Sequence, residues 1–198
     1  MNIDKISHSD QEIIMNWIPS NSSVLDLGCG EGALIAKLIE KKEIHAQGIE
    51  IDKQAIHRCV AAGLNVLQED IDTGLSEYSN KSFDFVILNQ TFQQVKKPNF
   101  VLKEALRVGN NVIVGFPNFC YIKDRFQIFF KGRVPVSSSL PYEWYDTPNL
   151  HFLSINDFLY FCKKMAINIK KAEYLAGKKR VKFFPNLFAE IGLFLVFQ

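Results

Sequence analysis

The chain of 198 residues has no long hydrophobic run, no surplus of one charge sign and few cysteines. Its most apolar stretch, 191–197, falls well short of the roughly 20 residues a bilayer-spanning helix needs. A buried strand accounts for it, and no membrane role is expected. Lysine and arginine number 23 against 21 aspartates and glutamates. The basic groups at 163–164, 170–171 and 178–180 are short and scattered, whereas a nucleic-acid footprint requires a broad patch. Cys29, Cys59, Cys120 and Cys162 are widely separated and lack metal-ligand spacing. No metal is expected, and reduced thiols in a cytoplasmic protein are the simple inference. A basic-then-apolar leader pattern is missing from the first residues, as are internal repeats and low-complexity segments. One globular domain over 1–198 is expected, and with 47% of residues hydrophobic it can fill a two-sided core.

What is present is a glycine turn. Val24, Leu25, Asp26 and Leu27 read as a buried strand ending beside an acid. Gly28, Cys29, Gly30, Glu31 and Gly32 follow, and apolar residues at helical spacing come next from Ala33 onward. Glycine at alternate positions permits sharp bending and close approach of a ligand, and a helix N-terminus aimed at the turn suits an anion. Gly28, Gly30 and Ala33 also satisfy the dinucleotide pattern. Asp26 and Glu31, however, are poor neighbours for a doubly negative pyrophosphate. They suit S-adenosylmethionine, which carries a sulfonium, an ammonium and a single carboxylate. Cys29 stands where a small residue is needed and reads as packing rather than as a nucleophile.

Two further strands end in acids at the same edge. About 20 residues beyond the glycines, Glu50 is placed to bond ribose hydroxyls, and Asp52 to cap the helix beginning at Lys53. After 65–67, Asp70 suits the exocyclic amine of an adenine, and Ile71 its ring face or a backbone contact. Strands are expected near 24–27, 46–50, 66–68, 83–89 and 111–116, and helices at 6–18, 33–41, 53–62 and 98–107, with Gly109 as a stop. A capping box at Ser154 opens a helix running to Met165. Strands at 167–175 and 191–197 complete a doubly wound, mostly parallel α/β sheet.

Residues 118–150 break this alternation. The segment is long for a loop, rich in aromatics, and punctuated by Pro135, Pro141 and Pro148. Tyr121, Ile122, Phe126, Phe129 and Phe130 fit a short amphipathic helix, with Tyr142, Trp144 and Tyr145 in the loop beyond. The segment reads as a cap on the core, a lid over a pocket, or a surface for another protein. The end of the fourth strand, Asn89–Gln90–Thr91, lacks the N-P-P-aromatic signature of amino-group methylation. Asn89 and Gln90 suit either a ligand or the loop backbone. His151 and Asp146 read as general-base candidates or as anchors of the loop, and no catalytic residue is identified.

The order LDLGCGEG, GIEID, QEDI, FDFVILNQ resembles the class I S-adenosylmethionine-dependent methyltransferases. A fuller resemblance, carried by NVLQEDIDTGL, SFDFVILNQTFQ, FPNF and LPYEWYDTPNLH, is to the MetW family of bacterial methionine-biosynthesis proteins. It implies a methyltransferase-like Rossmann fold with an antiparallel last strand and an aromatic-rich insertion after the fifth strand, which serves as lid or partner surface. It also implies S-adenosylmethionine or S-adenosylhomocysteine as cofactor and homoserine O-acyltransferase as protein partner, in a homo- or hetero-oligomer. The residues expected around the cofactor are Asp26, Gly28, Cys29, Gly30, Gly32, Glu50, Ile51, Asp70, Ile71, Asn89 and Gln90. Small-molecule methyl transfer stands as the alternative function, and nicotinamide chemistry as a third rested on glycine spacing alone.

Overall fold

A computed structural model describes residues 7–198. The parallel strands are β1 (Ser23–Leu27), β2 (His45–Glu50), β3 (Val66–Gln68), β4 (Phe83–Asn89) and β5 (Gly109–Pro117). They are followed by β6 (Asn168–Ala176), β7 (Lys179–Arg180) and β8 (Ile191–Phe197). The eight-stranded sheet has the order β3-β2-β1-β4-β5-β8-β6-β7. Strand β8 is antiparallel to both β5 and β6. The doubly wound sheet is the architecture that the strand–helix alternation predicts, and its antiparallel last strand is what the family resemblance implies.

Side chains alternate across this sheet because successive Cβ atoms point to opposite faces. Val24, Ile87, Ile113 and Leu193 pack with Ile13 and Ile14 of α1 (Ser7–Trp17), with Ile18 just after it, and with Leu34 and Leu38 of α2 (Ala33–Lys42). Leu25, Leu27, Val86, Leu88, Val112 and Val114 face the other way, towards α4 (Pro98–Val108) and α6 (Ile155–Lys164). Phe116, Phe158 and Phe194 bind α6 to β5 and β8, with ring centroids 4.7–5.7 Å apart. Truncating one such ring costs about 3–5 kcal/mol.

Helix starts follow local chemistry. The Asp52 carboxylate accepts from the Gln54 and Ala55 N–H groups at 2.7 and 3.1 Å, capping α3 (Lys53–Ala61). Ser154 and Asp157 exchange side-chain and backbone bonds in the expected capping box. Gly109 ends α4 as expected and is also the first residue of β5, so the strand begins two residues earlier than the expected 111. Ile6 of the expected first helix lies outside the described residues. The two-residue β7 was not expected, being too short to show a period.

Candidate functional site

The carboxyl ends of β1 to β4 surround a cavity of about 420 Å³, the place where ligands bind in open α/β sheets. Gly28 and Gly30 line it, together with Glu50, Ile51, Asp70, Ile71, Asn89 and Gln90. Both glycines are left-handed, at φ 74° and 55°, but they serve different ends. A Cβ on Gly28 would lie 2.5 Å from Thr91 Cγ2, whereas one on Gly30 would meet nothing within 4 Å. Gly28 is therefore required by packing, and Gly30 offers bare backbone to the cavity.

Asp26, Cys29 and Gly32 do not line this space. Gly32 is a packing position, since a Cβ there would fall 2.4 Å from Leu64 Cδ1. Cys59 Sγ donates to the Gly30 carbonyl at 3.2 Å, stiffening the turn from behind. Burial, with Asp26 next in effect, holds the Cys29 thiol above its ordinary range, in keeping with packing rather than nucleophilic use. Asp26 is 4% exposed. Burial, followed by the nearby Glu50 charge, pushes its carboxyl up to about 7.

Glu50 is the hub of the site. One oxygen accepts the Gly30 N–H at 2.7 Å, and the other accepts those of Ile51 and Asp52 at 2.7 and 3.0 Å. The carboxylate thus ties the end of β2 to the glycine turn. Asp70 accepts from the Asp72 N–H with one oxygen, at 2.9 Å. Asp72 in turn accepts the Lys96 and Lys97 N–H groups at 2.9 and 2.8 Å. Glu50, Glu69, Asp70 and Asp72 all line the cavity, against one lysine, Lys96. These four acids make the cavity unfavourable for a doubly negative pyrophosphate. Glu31, which the sequence reading used, instead pairs with Arg58 at 3.0 Å away from the lining.

Gln90 has φ 59°, a left-handed backbone uncommon for such a residue and frequent at functional sites. Its N–H donates to the Gly115 carbonyl at 2.8 Å, and its own carbonyl accepts from the Gln93 and Gln94 side chains at 2.9 and 2.8 Å. Asn89 lines the cavity, and its Nδ2 donates to the Asp10 carboxylate of α1 at 3.0 Å rather than to the loop backbone. Asp10 is 2% exposed, and burial raises its carboxyl above the ordinary value. It was missed because no motif marks it. The available signal was its position on the apolar stripe of the first helix, three residues before Ile13 and four before Ile14.

A second cavity of about 290 Å³ adjoins the first and shares Asn89, Gln90 and Gln94 with it. Its other walls include Asp10, Gln93 and, from the insertion, Ser138, Pro141 and Tyr142. The insertion is pinned here by the Leu150 and His151 N–H groups, which donate to the Gln93 carbonyl at 2.9 and 3.0 Å. The His151 side chain lines neither cavity, nor does Asp146. His151 anchors the loop through its backbone.

The insertion folds as α5 (Ile122–Lys131) followed by irregular chain. Tyr121 and Leu140 are buried, but Phe129, Trp144 and Tyr145 are 81, 69 and 73% exposed. A purely core-capping role does not describe this segment. Phe126 and Phe130 stack on the surface at 5.4 Å, and Trp144 meets Tyr145 edge-on at 5.7 Å. Among the described residues no group of histidine, cysteine or acidic side chains is arranged to hold a metal. No described helix is long and apolar enough to cross a membrane.

Comparison with known proteins agrees with this architecture. Residues 8–196 match the family model "Methionine biosynthesis protein MetW". The chain is 36% identical over 157 residues to the bifunctional methionine biosynthesis protein MetXA/MetW of Rhodopirellula baltica. That match covers 75% of this chain and only 25% of the relative, so the chain spans a quarter of that protein's length. Among solved structures it resembles the complex of the Haloferax volcanii Trm112 methyltransferase activator with its candidate methyltransferase. There the TM-score is 0.73, with 14% identity over 98% of this chain and 90% of that one. A candidate histamine N-methyltransferase of Thermotoga maritima gives 0.69, with 17% identity over 98% and 90% of the two chains. Identities this low establish the fold alone. The family match is what identifies the chain, which belongs to the MetW family of methionine biosynthesis proteins.

Proposed function

We propose that the chain binds S-adenosylmethionine or S-adenosylhomocysteine in the first cavity and acts as a partner and activating subunit of homoserine O-acyltransferase in the cytoplasm. The acid-lined edge of β1 to β4 supports the ligand. Gly30 leaves room for close approach, Glu50 can exchange a backbone N–H for ribose hydroxyls, and Asp70 keeps one oxygen for the adenine amine. Ile51 and Ile71 supply apolar walls. Asp26, Cys29 and Gly32 would act from behind, by shaping the turn, while Asn89 and Gln90 close the far end. For the partner, the observation that carries the reading is the Rhodopirellula relative, whose single chain joins a MetXA part to a MetW part. The exposed aromatic face of the insertion, residues 118–150, offers a surface for it. Methyl transfer to a small molecule is the second reading, favoured by the cavity that adjoins the nucleoside cavity.

The test has two arms. Both sulfur nucleosides are expected to raise the melting temperature, because a ligand bound only by the folded state stabilises it, and NAD is not. Glu50→Ala is expected to weaken that effect. Homoserine acylation by the purified acyltransferase is then measured with and without this chain. Activation supports the partner role. A chain that leaves the acyltransferase unaffected, yet consumes S-adenosylmethionine with a small acceptor, is a methyltransferase instead.

A further inference from the structure

The second cavity contains a buried carboxyl, Asp10, with no cationic partner among the described residues. Among the described residues the Asp10 carboxylate accepts from the Gln11 backbone N–H, at 2.8 Å, from Asn89 Nδ2, at 3.0 Å, and from the Gln90 side chain. All of these donors are neutral. Among the described residues no lysine, arginine or histidine lines the space. Lys37, outside the lining, donates to Gln11 Oε1 at 2.7 Å. A second acceptor there is unpaired. Gln93 is 3% exposed, its Nε2 is committed to the Gln90 carbonyl, and its buried Oε1 has no hydrogen-bond partner. Buried carboxylates are ordinarily paired with a cation, and buried acceptors with a donor. A ligand carrying several N–H donors and a positive charge answers both needs, and an ammonium group has both.

We infer that the second cavity takes an ammonium group, held by Asp10 and positioned beside the Asn89–Gln90 partition. The group belongs either to a separate small amine or to the amino-acid end of the sulfur nucleoside reaching past that partition. The latter case rests on the nucleoside binding proposed above, and the former stands without it. A ligand whose only charge is a carboxylate or phosphate would meet the Asp10 carboxyl with only neutral donors around it, so ligands bearing negative charge alone are disfavoured.

Calorimetric titration of the full chain separates these cases. The ligands are S-adenosylhomocysteine, 5′-methylthioadenosine (the same nucleoside without its amino-acid end), n-propylamine and propionate, the last two with and without methylthioadenosine. Asp10→Asn keeps the acceptor facing Asn89 and removes the charge. Ser138→Lys, at an exposed position on the cavity wall, brings in a cation that competes for Asp10. If the nucleoside supplies the ammonium, both variants weaken S-adenosylhomocysteine by at least about tenfold, as loss of a charge-assisted bond does, and methylthioadenosine binds as before. If a separate amine is the ligand, propylamine binding is lost in both variants while S-adenosylhomocysteine is unaffected. The inference is overturned if neither variant changes either ammonium ligand, or if propionate binds as well as propylamine. Should Asp10→Asn fail to fold, Ser138→Lys decides alone. Should neither nucleoside bind wild type, the proposed cofactor falls and the propylamine titration still decides the inference.

Discussion

Three glycines in one turn look equivalent in the sequence and are not equivalent in the structure. Gly28→Ala must place a methyl group against Thr91 while holding φ at 74°. A cost of roughly 2–4 kcal/mol is expected from left-handed strain and overpacking together. Gly30→Ala meets open space, so only the strain remains, about 1 kcal/mol. Its methyl instead enters the cavity, in the volume the proposed nucleoside would fill. Urea unfolding should therefore find Gly28→Ala much the less stable, and nucleoside titration should find Gly30→Ala folded but weakened in binding. Asp26 gives a pH-dependent prediction. Its carboxyl rises from 3.8 unfolded to about 7 folded, so the native state holds this proton more tightly. The stability it contributes is complete below about pH 4 and is lost as pH climbs through about 7. Asp26→Asn carries no such penalty. It should be more stable than wild type at pH 8, by at most about 4 kcal/mol at roughly 1.4 kcal/mol per pH unit, and close to wild type near pH 4. A variant less stable by the same amount at both pH values would refute burial as the cause.

At the level of elements, the sequence was most informative where a period repeats. Helix α4 shows an apolar face over three turns between Pro98 and Gly109, and β4 carries a continuous buried run over residues 85–88. Acids at the ends of β2 and β3 located one edge of the sheet and hence the first cavity. The insertion was legible only as an anomaly. Its loop has no period, so the sequence could not separate an aromatic that fills a core from one that faces water. The structure divides them, burying Tyr121 and Leu140 and exposing Phe129, Trp144 and Tyr145. Asp10 and the second cavity were illegible for a related reason, since they depend on α1 meeting the β4 loop and the insertion, elements far apart in the chain. The division is testable by unfolding. Replacing Trp144 and Tyr145 together by alanine should move stability by no more than about 0.5 kcal/mol per site, as exposed changes do. Leu140→Ala should cost about 2–4 kcal/mol. Comparable losses in both variants would place the aromatic pair in the core after all.

On the scale of the whole molecule, the two cavities and the aromatic face are parts of one connected structure. Gln90 lines both cavities, its carbonyl is held by the Gln93 side chain, and the Gln93 carbonyl accepts the two N–H groups that fix the end of the insertion. The same insertion presents the aromatics outward. Under the proposed function, a nucleoside formed from methionine, the pathway's product, occupies one end of this arrangement and the first enzyme of that pathway docks at the other. Such a link must obey reciprocity: if the nucleoside changes acyltransferase affinity by some factor, the acyltransferase changes nucleoside affinity by the same factor. A coupling of about 1–3 kcal/mol is the usual range. Both affinities are to be measured, each with and without the other ligand at saturation. Equal shifts are expected for the wild-type chain. In the Trp144→Ala, Tyr145→Ala variant, acyltransferase binding and the shift should disappear together, while nucleoside binding to the chain alone is retained. Acyltransferase binding that persists at full strength in this variant would move the docking surface elsewhere. Activation that is indifferent to the nucleoside would leave the chain an activator without a sensor.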